Sequence, residues 1–213
     1  MLIADSISTA YLRAALLRRG RLLAFLSIGY MIVEGGVSIV AGALAGSVSL
    51  MGFGLDSVVE LGSDSAALHR IAADLEPERR ARAERRAQRI IAACFLALAL
   101  YVTIDALRGL WLHVGAAPST LGIIVAATSV MVMPLLARAK RRVAAGLESR
   151  ALAADARQAD FCAYLSAILL SGLLLNALLG WWWADPAAAL AMAPIIAREG
   201  VLGWRGAACC DAC

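Results

Sequence analysis

Charge is scarce in this sequence. Only 17% of its 213 residues are Asp, Glu, Lys or Arg, and 62% are hydrophobic. An ordinary soluble domain is about 25% charged. A soluble fold of this length would lack the polar surface to cover itself. That excludes a disordered chain, a nucleic-acid-binding domain of the usual polar kind, and a small disulfide-stapled secreted domain. A cleavable leader is not expected either. Met1–Leu17 carries Asp5 and Arg13 and has no basic region followed by an apolar core and a small-residue cleavage site. Histidine is nearly missing: His69 and His113 both lie near the ends of apolar runs. No Ser/His/Asp set can be assembled, so an enzyme is not expected. Low-complexity segments and internal repeats are absent, and the apolar runs do not alternate as barrel strands do.

What is present is a series of long apolar runs. A hydrocarbon core about 30 Å thick needs about 20 apolar residues per helix, which leaves room for about six spans and no sizeable soluble domain. The runs are Leu22–Leu44, Val48–Ile71, Ile90–His113, Thr120–Ala137, Ala151–Asn176 and Leu179–Val201. The expected fold is therefore all-α, a polytopic membrane protein with six transmembrane helices. Residues 1–21 form an N-terminal segment, 22–204 the membrane domain, and 205–213 a Cys-rich tail.

The basic residues sort by loop. Arg13, Arg18, Arg19 and Arg21 precede the first span. Arg70, Arg79, Arg80, Arg82, Arg85, Arg86 and Arg89 separate the second and third, and Arg138, Lys140, Arg141, Arg142 and Arg150 the fourth and fifth. The alternate turns, 45–47, 114–119 and 181–185, contain no Lys or Arg. The positive-inside rule then places the basic loops and both termini in the cytoplasm. Trp181, Trp182 and Trp183, with Trp111, read as an aromatic belt at the outer interface. The charged run around Glu78, Arg82, Glu84 and Arg85 is expected to extend the third helix into solvent.

An ionisable group at the bilayer centre costs about 2.5–3.5 kcal/mol on insertion scales, so such groups face the bundle interior and mark function. Asp56 and Glu60 are four residues apart in the second span, stacked on one helix face. Two carboxylates that close in low dielectric repel, so a proton or a cation must stand between them. That suits a divalent cation or proton exchange. The plainer reading is a pair satisfied by hydroxyl or backbone groups of neighbouring helices. Asp64 continues the same stripe toward the cytoplasm.

In the fifth span Asp155, Gln158 and Cys162 share a face, with Asp160 pointing away. A Cys thiolate is a soft ligand for zinc-like metals, and a glutamine amide oxygen is a weaker donor. Taken alone, Cys162 packs as a small hydrophobe and Gln158 joins helices by hydrogen bonds. Glu34, beside Gly35 and Gly36 in the first span, is open to two readings: an ion-path carboxylate or a structural partner. Asp185-Pro186 reads as a turn or break at the outer end of the last span. The tail thiols Cys209, Cys210 and Cys213 form a possible soft-metal site, since a cytoplasmic tail keeps thiols reduced.

At these residues the chain resembles the cation diffusion facilitator, or cation efflux, family. The stretch from Ser47 to Glu60 is similar to that family's second helix, with its two ligand residues four apart. The stretch from Ala154 to Cys162 is similar to its fifth helix, which usually has an Ala-Asp-Ala-Leu-His run and an Asp four after the His. Asp185-Pro186 also resembles the family's last span. The resemblance covers about residues 20–205. It implies export of a divalent metal ion by alternating access in exchange for protons, by a homodimer in the cytoplasmic membrane. No prosthetic group and no nucleic acid are implied, and the lipid bilayer is the surrounding partner. Carried over by position, the metal ligands are Asp56, Glu60, Gln158 and Cys162. Gln158 stands where the family has His and Cys162 where it has Asp, which leans toward a softer ion. The family's cytoplasmic domain is missing from the sequence, with the Cys tail in its place. Glu34, Asp64 and Asp155 would be supporting or ion-path groups. The rival expectation is a membrane metal-binding sensor or accessory protein that transports nothing.

Overall fold

The computed structural model describes residues 2–72, 77–147 and 150–205. The Asp64 side chain and the tail thiols Cys209, Cys210 and Cys213 lie outside the described residues. The chain forms six helices in sequence: α1 Leu2–Ala45, α2 Val48–Ala72, α3 Pro77–Leu112, α4 Thr120–Leu147, α5 Arg150–Leu179 and α6 Ala184–Trp204. No strand occurs among the described residues. The three largest helix–helix interfaces are α4 with α5, α3 with α6 and α1 with α2.

Five helices are long and apolar enough to cross a membrane, and α2 is the one that is not. Asp56, Glu60 and Asp64 lower its apolarity, and α2 brings Asp56 and Glu60 to the bundle interior. Leu50, Phe53, Asp56, Ser57 and Glu60 along it are all 0% exposed. Large apolar side chains of the other helices face outward instead, among them Leu44, Met131 and Leu178. In a bilayer such surfaces meet lipid and need no cover.

The helices outrun the expected spans at the basic end. Helix α1 has 44 residues, which at 1.5 Å per residue is about 66 Å. The third span gains the expected charged extension, beginning at Pro77, where a missing N–H costs little. The segment 138–147, expected as a loop, continues α4. Its Ala, Arg, Lys and Leu residues favour helix, and the one weak helix former besides Val143, Gly146, comes just before the helix ends at Leu147. Pro134 lies inside α4, with Ser129 before it and Lys140 after it.

At the outer end the expected sixth span moves. Helix α5 runs on to Leu179 and stops at Gly180, whose φ of 66° is the left-handed conformation that ends helices. Residues 180–183 make the turn, and α6 starts at Ala184. Asp185-Pro186 is therefore the first turn of a helix and not a break within one. Trp181 and Trp183 stack in this turn at 5.0 Å, and Trp182 lies against His113 at the same distance.

Ser47 caps α2, its Oγ accepting from Leu50 N at 3.1 Å. Asp185 reaches across from α6 to the same place. Its carboxylate accepts from Ser47 Oγ at 2.5 Å, from Val48 N at 2.9 Å, and from Ser49 Oγ. Asn176 of α5 donates to Ala116 O at 2.8 Å, and Ala117 N donates to Ala45 O at 2.8 Å. Hydrogen bonds thus tie the first outer turn to the second and to α6, and the second to α5.

Candidate functional site

The site begins with how closely α1 approaches α2. A Cβ placed on Gly54 would fall 2.9 Å from Ile39 N, and one on Gly35 3.3 Å from Gly54 O. Only hydrogens let the two backbones come this near, and the approach sets Glu34 of α1 against the Ser57–Glu60 turn of α2. Small residues at such crossings drive helix association where lipid supplies no hydrophobic force.

Asp56 and Glu60 are both 0% exposed and lie on one face of α2, as their spacing implies. Neither Asp56 oxygen has a hydrogen-bond partner among the described residues. The plainer expectation, a carboxylate satisfied by its neighbours, therefore does not describe Asp56. Glu60 is not isolated, and the thiol of Cys162 on α5 lies within its electrostatic reach. Cys162 is 0% exposed and stands in the electrostatic field of Glu60, Glu34 and Asp56. Its Sγ is 4.0 Å from Glu34 Oε2. Gln158, one turn along α5, is half-buried, and its Nε2 is buried with no acceptor.

Glu34 is 2% exposed and well supported. Ser57 Oγ donates to its Oε2 at 3.1 Å, and Ser129 Oγ of α4 donates to its Oε1. Tyr30 OH contacts Ser129 Oγ at 2.8 Å. Glu34 thus has both the neighbours of a structural partner and a place beside the candidate ligands. As the side chains stand, no three His, Cys, Asp or Glu groups among the described residues form a closed metal cage.

The other candidates lie nearer the basic end. Asp155 is bound by Lys140 of α4, with Nζ 2.7 Å from Oδ1. Lys140 is the sole lysine of the sequence and is only 2% exposed. It was expected in a solvated loop; its place is inside the α4–α5 interface. Asp160 points elsewhere, as its position implies, and pairs with Arg141. Glu199 of α6 is half-buried, in the field of Arg198 and Arg157, and acts in turn on Asp56.

Removing one member of a buried ion pair costs about 3–5 kcal/mol, whereas replacing both with apolar groups is often neutral. Asp155 keeps 13% exposure, so Lys140→Met is expected to cost about 2 kcal/mol. The double change Lys140→Met with Asp155→Leu should regain most of it. Thermal unfolding of the purified protein in detergent reads this cycle. With Asp155→Leu as the second single variant, a double-variant loss equal to the sum of the two single losses would show that the pair is not coupled.

Ser57, Ser129, Tyr30 and the buried Lys140 were not singled out in the sequence. Ser57 and Ser129 had a usable signal, since each is a hydroxyl in the middle of an apolar run. Tyr30 had none.

The whole arrangement falls within residues 24–202, which match the family model of the cation efflux transmembrane domain. No curated protein matches the chain.

Proposed function

This chain belongs to the cation efflux family and is a multi-pass membrane protein of cation transport, and from that premise we propose that it exports a divalent metal ion in exchange for protons. The substrate is Zn²⁺ or a softer ion of the same charge. Asp56, Glu60 and Cys162 bind it, and Gln158 completes or orients the set. The observation that carries this reading is Asp56: fully buried, with both oxygens free of hydrogen bonds, beside a buried thiol on the facing helix. A buried charge without partners is expensive and is retained where a cation supplies the missing interaction.

Metal and protons compete for the same ligands, because a thiolate or carboxylate must shed its proton to bind. Deprotonation on the cytoplasmic side loads the ion, and protonation from outside releases it. The basic end faces the cytoplasm by the positive-inside rule, and the chain works as a homodimer in the cytoplasmic membrane. Asp155 and Asp64 serve as supporting or ion-path groups, and the tail thiols gather metal for the site.

Reconstitution tests the reading. Proteoliposomes with an imposed proton gradient are expected to move Zn²⁺ or Cd²⁺ well above empty liposomes, and collapse of the gradient should slow that movement. Flux of Zn²⁺, Cd²⁺, Co²⁺ and Mn²⁺ all equal to empty liposomes would overturn it and leave a metal-binding protein that transports nothing.

A further inference from the structure

The hydrogen bonds around Glu34 form a directed chain. Ser129 gives its hydroxyl hydrogen to Glu34 Oε1, so in the 2.8 Å contact with Tyr30 the phenol is the donor. Ser57 gives its hydrogen to Oε2. Donors from two helices therefore hold both oxygens of one carboxylate, with a third group behind them. Such outer partners orient a metal-binding side chain. The carboxylate held this way presents Oε2 to Cys162 Sγ at 4.0 Å. Asp56, fully buried and with no hydrogen bond, acts on both Glu34 and Cys162. Acceptors from three helices thus meet in a dry interior where one of them has no donor at all. The chemistry that satisfies them together is a cation.

Ligand count leads the same way. A zinc-like ion takes four donors. Asp56, Glu60 and Cys162 supply three strong ones, and the amide oxygen of Gln158 is a poor fourth. We infer that Glu34 is a direct ligand of the transported ion, so that α1 joins α2 and α5 in holding it and Gln158 is left to orient the others. The inference rests on the metal-binding reading of Asp56 and Cys162. It adds that the site is three carboxylates and one thiolate drawn from three helices.

Cadmium reports sulfur ligation through a charge-transfer band in the ultraviolet. The probe is Cd²⁺ alone, titrated into the purified full-length chain carrying Cys94→Ser, Cys209→Ser, Cys210→Ser and Cys213→Ser, so that Cys162 is its one thiol. Glu34→Gln is expected to weaken Cd²⁺ binding by about 100-fold while leaving the band at saturation unchanged. Ser129→Ala, which removes a donor to Glu34 and the acceptor of Tyr30 but no candidate ligand, should weaken it by about tenfold. Glu34→Cys offers the ion a second sulfur and should raise the saturated band roughly twofold. Parental affinity in Glu34→Gln, or a single-sulfur band in Glu34→Cys, overturns the inference. If in that case Asp56→Asn and Cys162→Ala still abolish binding, the site stands without Glu34. A parent protein with no Cys162-dependent band removes both the site and its fourth ligand.

Discussion

Asp56→Asn is expected to lower Zn²⁺ flux through proteoliposomes by on the order of 100-fold and, in the same preparation, to leave the protein at least as resistant to heat as the parent. The loss follows from ligand chemistry. Even outer partners of metal ligands cost about 10–100-fold when removed, and an amide replaces a charged oxygen at a position with nothing else to offer the ion. The stability half follows from the hydrogen-bond inventory. Asp56 is fully buried and its oxygens bond to nothing among the described residues, so Asn forfeits no native contact and removes a buried acid. Exchanging uncompensated buried charge for a neutral group of the same shape is often stabilising, and sites kept for function commonly carry such a cost. Flux measured beside a thermal melt in detergent separates the two effects. Cys162→Ala makes a companion test of selectivity. Loss of the thiolate should reduce Cd²⁺ flux about tenfold more than Mn²⁺ flux, since sulfur favours the softer ion. Parental flux in both variants would move the site elsewhere in the bundle.

The second large effect belongs to the outer end. Asp185→Ala is expected to destabilise the protein by about 3–5 kcal/mol, because hydrogen bonds to a charged acceptor are each worth about 1.5–3 kcal/mol and share one carboxylate here. Ser47 Oγ, Ser49 Oγ and Val48 N all lose the same acceptor. The two hydroxyls and the first amide of α2 would be left at a buried helix end, where an ordinary cap alone is worth about 1 kcal/mol. Asp185→Asn keeps one acceptor oxygen and should fall between. Scanning fluorimetry in detergent gives the order parent, Asn, Ala. An Ala variant that melts with the parent would show that water replaces the carboxylate and that α6 does not hold α2.

Much of this architecture was legible in the sequence, for identifiable reasons. Helix number follows from apolar run length, a local property. The Asp56/Glu60 and Gln158/Cys162 spacings place each pair on one face because helical periodicity is also local. What one residue meets on another helix is not local. It depends on how each helix is rotated about its axis and on how near the axes come. Glu34 could be read as an ion-path group or a structural partner, and only the α1–α2 approach at Gly54 shows that it stands beside Ser57 and Cys162. Lys140 read as one more basic loop residue, since nothing in its neighbourhood says that α4 continues and turns it inward. Asp185 read as a turn former, because its partners lie more than 130 positions away.

One proline gives α4 a mechanical character of its own. Pro134 has no N–H to offer the Val130 carbonyl, and its ring crowds the preceding turn, so the rod is weakest against bending at that level. Below the weak point Ser129 is tied to Glu34, and above it Lys140 is tied to Asp155. The polar fastening before the proline thus runs to α1 and the one after it to α5. Bending at Pro134 is therefore the softest internal deformation that α4 offers between these two fastenings.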